Sequence, residues 1–402
     1  MEQLTMSFLL SAILFIVSFL VVISFLVFFH ELGHYSVARM FNTVVERFSI
    51  GFGKPIMKWT AKSGTEWTIS RWPLGGYVKF LGDAGAASHP DMEKLEAIRA
   101  NVEACYGDNA LGNCFHFKPL WQRTLIVLAG PMANFILAIL IFAIIALVMG
   151  HQELKSVVTA VRPDGAAAEA GVRIGDHFLK MNGADVSESD DLTAYVALRS
   201  GVELNTEIDR GGDVITLTIT PKREERRDFL GGVNQIGTIG VQIGGEGNVV
   251  EYNHTLLSAL GHGVERCYRT IALTGTYIKR IFQGREDGSA LGGPTRIATM
   301  TGKTAVDVAN MDIPLGEKIS AGFWMLLSLS AVLSVGLGVA NLMPIPALDG
   351  GHLLYYGYEA LAGRPLSGDK QEFGFRIGFA CLIALLVYLT INDIGYVRSL
   401  FS

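Results

Sequence analysis

His30 and His34 stand four residues apart, with Glu31 directly after the first, in the run His30-Glu31-Leu32-Gly33-His34. On a helix, positions i and i+4 share a face, so both imidazoles can reach one ion. Zinc suits neutral imidazole nitrogens in a tetrahedral site that keeps one position for water. Glu31, beside the ligands, can take the proton of a water attacking a carbonyl. The plainer alternative is a helix end whose histidines sit at an interface. The setting argues against it: the motif closes a long apolar run, where ionisable groups are costly and tend to be functional.

Two histidines leave such a site short, because a catalytic zinc commonly takes three protein ligands. The leading candidate for the third lies far along the chain, in Asn341-Leu342-Met343-Pro344-Ile345-Pro346-Ala347-Leu348-Asp349-Gly350-Gly351-His352. Pro344 and Pro346 must break the apolar helix before them, since proline lacks a donor and clashes with the preceding turn. Irregular backbone at membrane depth is tolerated only when buried in protein or lining a watery cavity. Asp349, just past the break, can therefore meet the first helix. A helix cap or an interfacial charge is its alternative role, and His352 is a lower-ranked rival ligand.

Four apolar runs must position these groups. Half of the 402 residues are apolar and only 18% are charged, too apolar a balance for an ordinary soluble domain. Phe8 to Phe29 carries no charge and matches the roughly 20 residues that cross a bilayer. It lacks the basic start and small-residue cleavage site of a signal peptide. Leu125 to Met149 follows, with Asn134 as its main polar interruption, and then Gly322 to Leu342. Ile377 to Ile391 is shorter and needs its flanks to span. No lysine or arginine precedes Arg39, whereas Arg39 to Arg123 holds eleven, so that stretch is expected to be cytoplasmic. Both termini and the region after Gly150 then lie outside the cytoplasm, with Asp349 to Arg376 inside. The net charge of -5 gives no case for nucleic-acid binding. Cys105, Cys114, Cys267 and Cys381 form no CxxC pair and suggest no disulfide framework.

With these blocks in hand, the chain resembles the site-two protease family of M50-type intramembrane zinc metalloproteases, in particular its bacterial, PDZ-containing, RseP-like branch. The resemblance rests on His30 to His34 and on Asn341-x-x-Pro344-x-x-x-Leu348-Asp349-Gly350. Phe117-Lys118-Pro119-Leu120-Trp121-Gln122-Arg123, Ala129-Gly130-Pro131-Met132-Ala133-Asn134-Phe135 and Leu291-Gly292-Gly293-Pro294 extend it. It implies Zn2+ held by His30, His34 and Asp349, with Glu31 as general base. It implies a substrate-holding or transition-state role for Asn341, with Pro344 in the same substrate-binding motif; helix packing is the alternative for Asn341. It further implies a bacterial inner membrane and single-pass membrane protein substrates, such as trimmed anti-sigma factors or signal-peptide remnants. The chain has room for one PDZ domain rather than two and carries an additional segment around Ala84 to Cys114.

The expected fold is an α-helical polytopic membrane protein of about four transmembrane helices, with a membrane-associated β-hairpin and an inserted α+β PDZ domain. Residues 1–41 form the first transmembrane helix; 42–123 are cytoplasmic, with a re-entrant hairpin between Arg47 and Asp83 and a flexible insertion, helical near Met92 to Val102. His89, His116, Cys105 and Cys114 there support no zinc site by spacing. The second span is 124–150, and the PDZ domain is extracytoplasmic at 151–247. An amphipathic helical segment covers 248–320, the third span with its broken end 321–349, and a cytoplasmic loop and fourth span 350–402. Trp67 to Ser70 and Tyr77 to Phe80 read as strands, and strand addition by an unwound substrate is a use for their exposed edge; an amphipathic surface hairpin is the alternative. In the PDZ region Ile236 to Val241 is either a peptide-binding edge for a trimmed chain terminus or a plain terminal strand, and Lys222 to Asp228 reads as a solvated linker. Leu256 to Phe282 and Ile297 to Val308 look amphipathic and suited to gating substrate entry, with Arg266, Arg269, Lys279 and Arg280 facing water or lipid headgroups. A membrane-anchored peptidase acting on soluble peptides, and a PDZ-bearing scaffold or transporter with a structural metal, are the competing readings.

Overall fold

The computed structural model describes residues 2–83, 96, 110–227, 233–245, 247–285, 288 and 291–400. The chain forms two compact units, one of residues 1–141 and 297–390 and the other of 142–296 and 391–402. Among the described residues, four helices are long and apolar enough to cross a membrane: Ser11–Met40, Leu120–Met149, Leu315–Asn341 and Gly368–Arg398. All four expected spans are present. The fourth is far longer than Ile377 to Ile391, because Gly368, Asp369, Lys370 and Glu372 continue the helix while diluting its apolar signal.

In the first unit, helix α1 (Glu2–Met40) carries the HExxH motif near its C-terminal end. Strands β1 (Val45–Thr60) and β2 (Glu66–Phe80) follow, and they form more than the simple hairpin expected. Each bends in its middle, so that residues 45–50 pair on one side with 76–80 and on the other with 66–70, which in turn pair with 55–60. The bend in β1 falls at Gly51 and Gly53, both at positive φ, where a side chain would be strained. The result is a four-segment antiparallel sheet with 76–80 at one edge. Phe48, Val78 and Phe80 bury its inner face against Ala38, Ile126 and Val127, while Ile56, Met57 and Trp72 stay exposed at the far end.

Helix α2 (Leu120–Met149) approaches α1 closely: a methyl at Gly33 would stand 2.2 Å from the Ala129 carbonyl oxygen and 2.7 Å from Ala133 Cβ. Small residues at such a seam let two apolar helices meet backbone to backbone. Lys118 donates to the carbonyls of Phe41 and Gly112, both at 2.6 Å, tying the end of α1 to the turn before α2. The expected 84–113 insertion, with His89 and Cys105, lies outside the described residues save 96 and 110–113. Cys114 is buried and donates to the Leu81 carbonyl, while His116 is 2.7 Å from Asp83, so neither belongs to a metal cluster among the described residues.

The second unit opens with β3 (His151–Leu154), β4 (Val158–Val161) and the short α3 (Ala166–Glu169). Strands β5 (His177–Met181) and β6 (Ala184–Asp185), helix α4 (Ser189–Ala197), and strands β7 (Leu204–Arg210) and β8 (Asp213–Ile219) come next. They build a sheet of order β6-β5-β7-β8. Phe178, Met181, Leu204, Ile208 and Ile219 are fully buried in its core, each contributing about 1.5–3 kcal/mol.

Two sequence expectations fail in this unit. Lys222 to Arg227 is no linker but strand β9 (Lys222–Arg227), paired with β10 (Val233–Thr238) and tied down by ion pairs from Glu224 to Arg162 and from Lys222 to Glu169. The segment 236–241 is not one strand either: β10 ends at Thr238, Gly240 turns the chain at φ 76°, and β11 (Val241–Ile243) pairs with β4. Strand β12 (Val249–Tyr252) pairs with β3, so the α+β unit runs past the expected boundary at 247.

Asp176 anchors this unit. Its buried carboxylate accepts both Arg210 nitrogens at 2.8 Å and the Arg173 amide at 2.7 Å. Burial alone would raise its pKa, but these donors outweigh burial and hold it below the usual carboxylate range. A depressed folded-state pKa means the stabilisation is present at neutral pH and is lost as pH falls through the folded value. Asp176→Ala should lower stability by removing the acceptor that Arg210 and the Arg173 amide share, and should flatten the acid limb of stability. Limited proteolysis of the solubilised full chain from neutral pH downward checks both effects.

Helix α5 (Leu256–Phe282) starts at a capping box of Thr255 and Ser258. Helix α6 (Pro294–Ala309) has its first turn held by Asp393, which accepts from the Gly293 and Arg296 amides at 3.2 and 2.9 Å. Both helices match the amphipathic expectation. Their arginines do not all face outward: Arg280 is buried, and Arg269 pairs with Asp191 and Glu265. The third span, α7 (Leu315–Asn341), begins earlier than expected and ends before Pro344, as the prolines require. Beyond it, α8 (Asp349–Ala362) fills much of the expected cytoplasmic loop before α9 (Gly368–Leu400).

Candidate active site

His30 and His34 lie one turn apart on α1 with their Nε2 atoms 3.3 Å from each other. Asp349, in the first turn of α8, brings Oδ2 to 3.3 Å from His30 Nε2 and 3.5 Å from His34 Nε2. Ligand atoms about 2.0–2.1 Å from one tetrahedral ion stand about 3.3–3.4 Å apart, so the triangle has the spacing that a zinc ion needs. Asp349 Oδ2 is also buried without a hydrogen-bond partner, an oxygen that a cation would satisfy. The residues fit the ion. His352, the rival ligand, lines the same cavity but is not part of the cluster.

The surroundings orient both imidazoles. His34 Nδ1 is 2.9 Å from the Ile126 carbonyl, which must accept its proton and so leave Nε2 with a free lone pair. His30 Nδ1 is 3.1 Å from the side-chain amide of Asn134, whose Oδ1 is buried and unpartnered. Amide oxygen and nitrogen exchange by a half-turn; in that orientation Asn134 accepts from His30 Nδ1–H and frees His30 Nε2 as a ligand. Such outer partners fix tautomer and ring direction in metal sites. Asn134 is itself positioned from α7, where Ser334 donates to its backbone carbonyl at 2.8 Å. On α8, Glu359 pairs with Arg123 of α2 at 2.5 Å, and Arg123 lies over the Tyr356 ring. These contacts fix the helix that begins with Asp349.

Glu31 is buried on the neighbouring face of α1. The Val78 backbone amide faces its carboxylate, and a methyl at Gly76 would come 3.1 Å from its Cγ. The edge segment 76–80 thus runs directly past it. All four groups line a cavity of about 400 Å³ whose other walls include Phe52, Val78, Ile126, Val127 and Leu382. Asn341 also lines this cavity. Pro344 does not; it shapes the turn between α7 and α8 instead.

Sequence reasoning passed over Gly130 and the part Asn134 plays. Both lie in the block 129–135 that extends the resemblance, and Asn134 is also a polar residue in an apolar run, but neither pattern assigns them a role. The importance of Gly130 depends on what faces it: a methyl there would meet His34 Nε2 at 2.2 Å and His30 Cε1 at 2.9 Å. Gly130→Ala should therefore displace the imidazoles and empty the site of zinc while α2 itself persists. Metal content of the purified variant, measured beside its circular dichroism, checks this.

The peptidase family M50 profile matches residues 18–385. The metalloprotease MmpA of Caulobacter vibrioides is 39% identical over 388 residues, covering 95% of this chain and 96% of its own. R01501 of Rhizobium meliloti is 40% identical over 380 residues, with 94% and 96% covered, and RC0203 of Rickettsia conorii is 33% identical over 395, with 96% and 99% covered. Both of the latter carry zinc metalloprotease in their names. The chain belongs to peptidase family M50. It is a zinc metalloprotease with transmembrane helices.

Proposed function

We propose that this protease cuts single-pass membrane proteins within or at the edge of the bilayer, with zinc held by His30 Nε2, His34 Nε2 and Asp349 Oδ2 and with Glu31 as general base. The supporting observation is that three ligand atoms in tetrahedral spacing and a buried carboxylate line one largely apolar cavity, and that three of these four groups come from a membrane-spanning helix. Bound zinc supplies the Lewis acidity that polarises a peptide carbonyl and eases deprotonation of water. Glu31 accepts the proton of the attacking water as its oxygen bonds to the carbonyl carbon. It then delivers that proton to the departing nitrogen as the C–N bond breaks, so it ends as it began. Asn341, on the cavity wall, holds the substrate backbone.

A transmembrane helix protects its peptide bonds by internal hydrogen bonding and must unwind to be cut. The sheet edge 76–80 beside Glu31 gives the unwound strand a backbone to pair with. The α+β unit acts as a PDZ domain of the single-domain form, taking a peptide or trimmed chain terminus along Val241–Ile243. Helices α5 and α6 gate substrate entry. The protein sits in a bacterial inner membrane with both termini and the PDZ domain outside the cytoplasm and the active site towards its cytoplasmic side, in keeping with the lysine and arginine count. Trimmed regulators such as anti-sigma factors, and signal-peptide remnants, are the substrates this arrangement suits. In lipid vesicles the protease should cleave a single-pass reporter in preference to a soluble peptide of the same cut sequence. Cleavage of the soluble peptide alone, or equal rates on both, overturns the intramembrane reading.

A further inference from the structure

Within the second unit, three imidazoles converge away from the active site. His151 opens β3, His254 precedes the cap of α5, and His262 lies on α5 two turns later. One nitrogen from each falls within 4.8 Å of the others. His151 Nδ1 is 3.2 Å from His254 Nε2, close to the roughly 3.3 Å edge of a tetrahedral zinc site. The rings crowd together, with centroids 4.3 Å apart for His151 and His262, 5.1 Å for His254 and His262, and 5.4 Å for His151 and His254. All three are half-buried, and none belongs to the hydrolytic centre.

The second nitrogen of His151 has its own partner. His151 Nε2 is 2.8 Å from Glu153 Oε1, so the carboxylate takes the Nε2 proton and leaves Nδ1 with a lone pair directed at His254. A carboxylate behind a ligating imidazole is the usual outer support of a metal site, setting tautomer and raising basicity. Glu188 and Glu265 join Glu153 around a small adjoining cavity of about 80 Å³ and outweigh the nearby Arg266 and Arg269 in charge. Nitrogen donors backed by carboxylates select a borderline transition-metal dication rather than a hard ion.

We propose that His151, His254 and His262 form a second metal site that binds a divalent transition ion such as Zn2+. The β3–β12 ladder holds the first ligand, and the start of α5 brings the other two. The ion therefore staples the amphipathic helix to the ladder that follows the second span. Its role is structural, since the ligands join two elements that no other ligand atom of the cluster links.

The test is a titration of the full-length, chelator-stripped protein in detergent with Zn2+ alone, reading bound metal per chain. Wild-type protein should take up two equivalents. His262→Gln should retain one and His34→Ala should retain the other, while the double variant binds none. In the His34→Ala background, Zn2+ should still raise the thermal transition, and His254→Ala should remove that rise. A wild-type stoichiometry of one that is lost in His34→Ala and kept in His262→Gln overturns the second site. So does unchanged uptake by His262→Gln. An equivalent lost in His34→Ala but kept in His262→Gln leaves the hydrolytic centre standing and the second site refuted; the reverse pattern upholds the second site and counts against the first.

Discussion

Glu31→Gln should keep its zinc and lose its turnover. Glu31 is not among the three clustered ligand atoms, so removing its charge leaves the triangle of His30, His34 and Asp349 in place. Glutamine has nearly the same volume, which preserves the packing against Gly76. What disappears is the group that accepts a proton, and a positioned general base is worth about 10²–10⁴ in rate, or about 3–5 kcal/mol of barrier. Turnover of a reporter and metal content of the same preparation are the two readings. Near-normal turnover with zinc bound would remove Glu31 from the mechanism, whereas joint loss of both would make it a structural residue.

Asp349→Ala should fail one step earlier, at metal binding. Two imidazoles remain, with no carboxylate to complete the set. Loss of even an outer-shell partner costs about 10–100-fold in affinity, and removal of a direct ligand should exceed that. His352→Ala is the contrasting variant. It alters the same short stretch and the same cavity, yet it should leave zinc content near normal, because His352 lies outside the cluster. If the two variants exchange these phenotypes, the aspartate is not the third ligand.

The candidate metal centre is legible in the sequence to different depths. HExxH declares itself, since helical periodicity alone puts both imidazoles on one face. Asp349 needed two further hints, the proline break before it and the resemblance that names an aspartate after such a break. Asn134 and Gly130 could be interpreted only once α1 and α2 were seen side by side, because neither acts through its own spacing. The fold shows the same gradient. Apolar runs located all four spans, but polar residues at the ends of α9 hid half its length. The bent sheet reads as a hairpin because the strand-like pieces Trp67 to Ser70 and Tyr77 to Phe80 are visible in the sequence while the second pairing partner of residues 45–50 is not. Strand β9 reads as a linker because all six of its residues are charged, and its order comes from cross-strand pairing and ion pairs that no local pattern encodes.

The proposed ligands of the hydrolytic centre come from distant stretches of the chain, two from the first helix and one from the start of α8. A polypeptide still being translated, and anchored by its first three spans, therefore holds two imidazoles and no carboxylate to join them. Hydrolytic power then arrives only when the ribosome has passed residue 349 and α8 has docked. On this ligand set the nascent enzyme is inert, and its neighbours at the insertion site are spared until synthesis is nearly done.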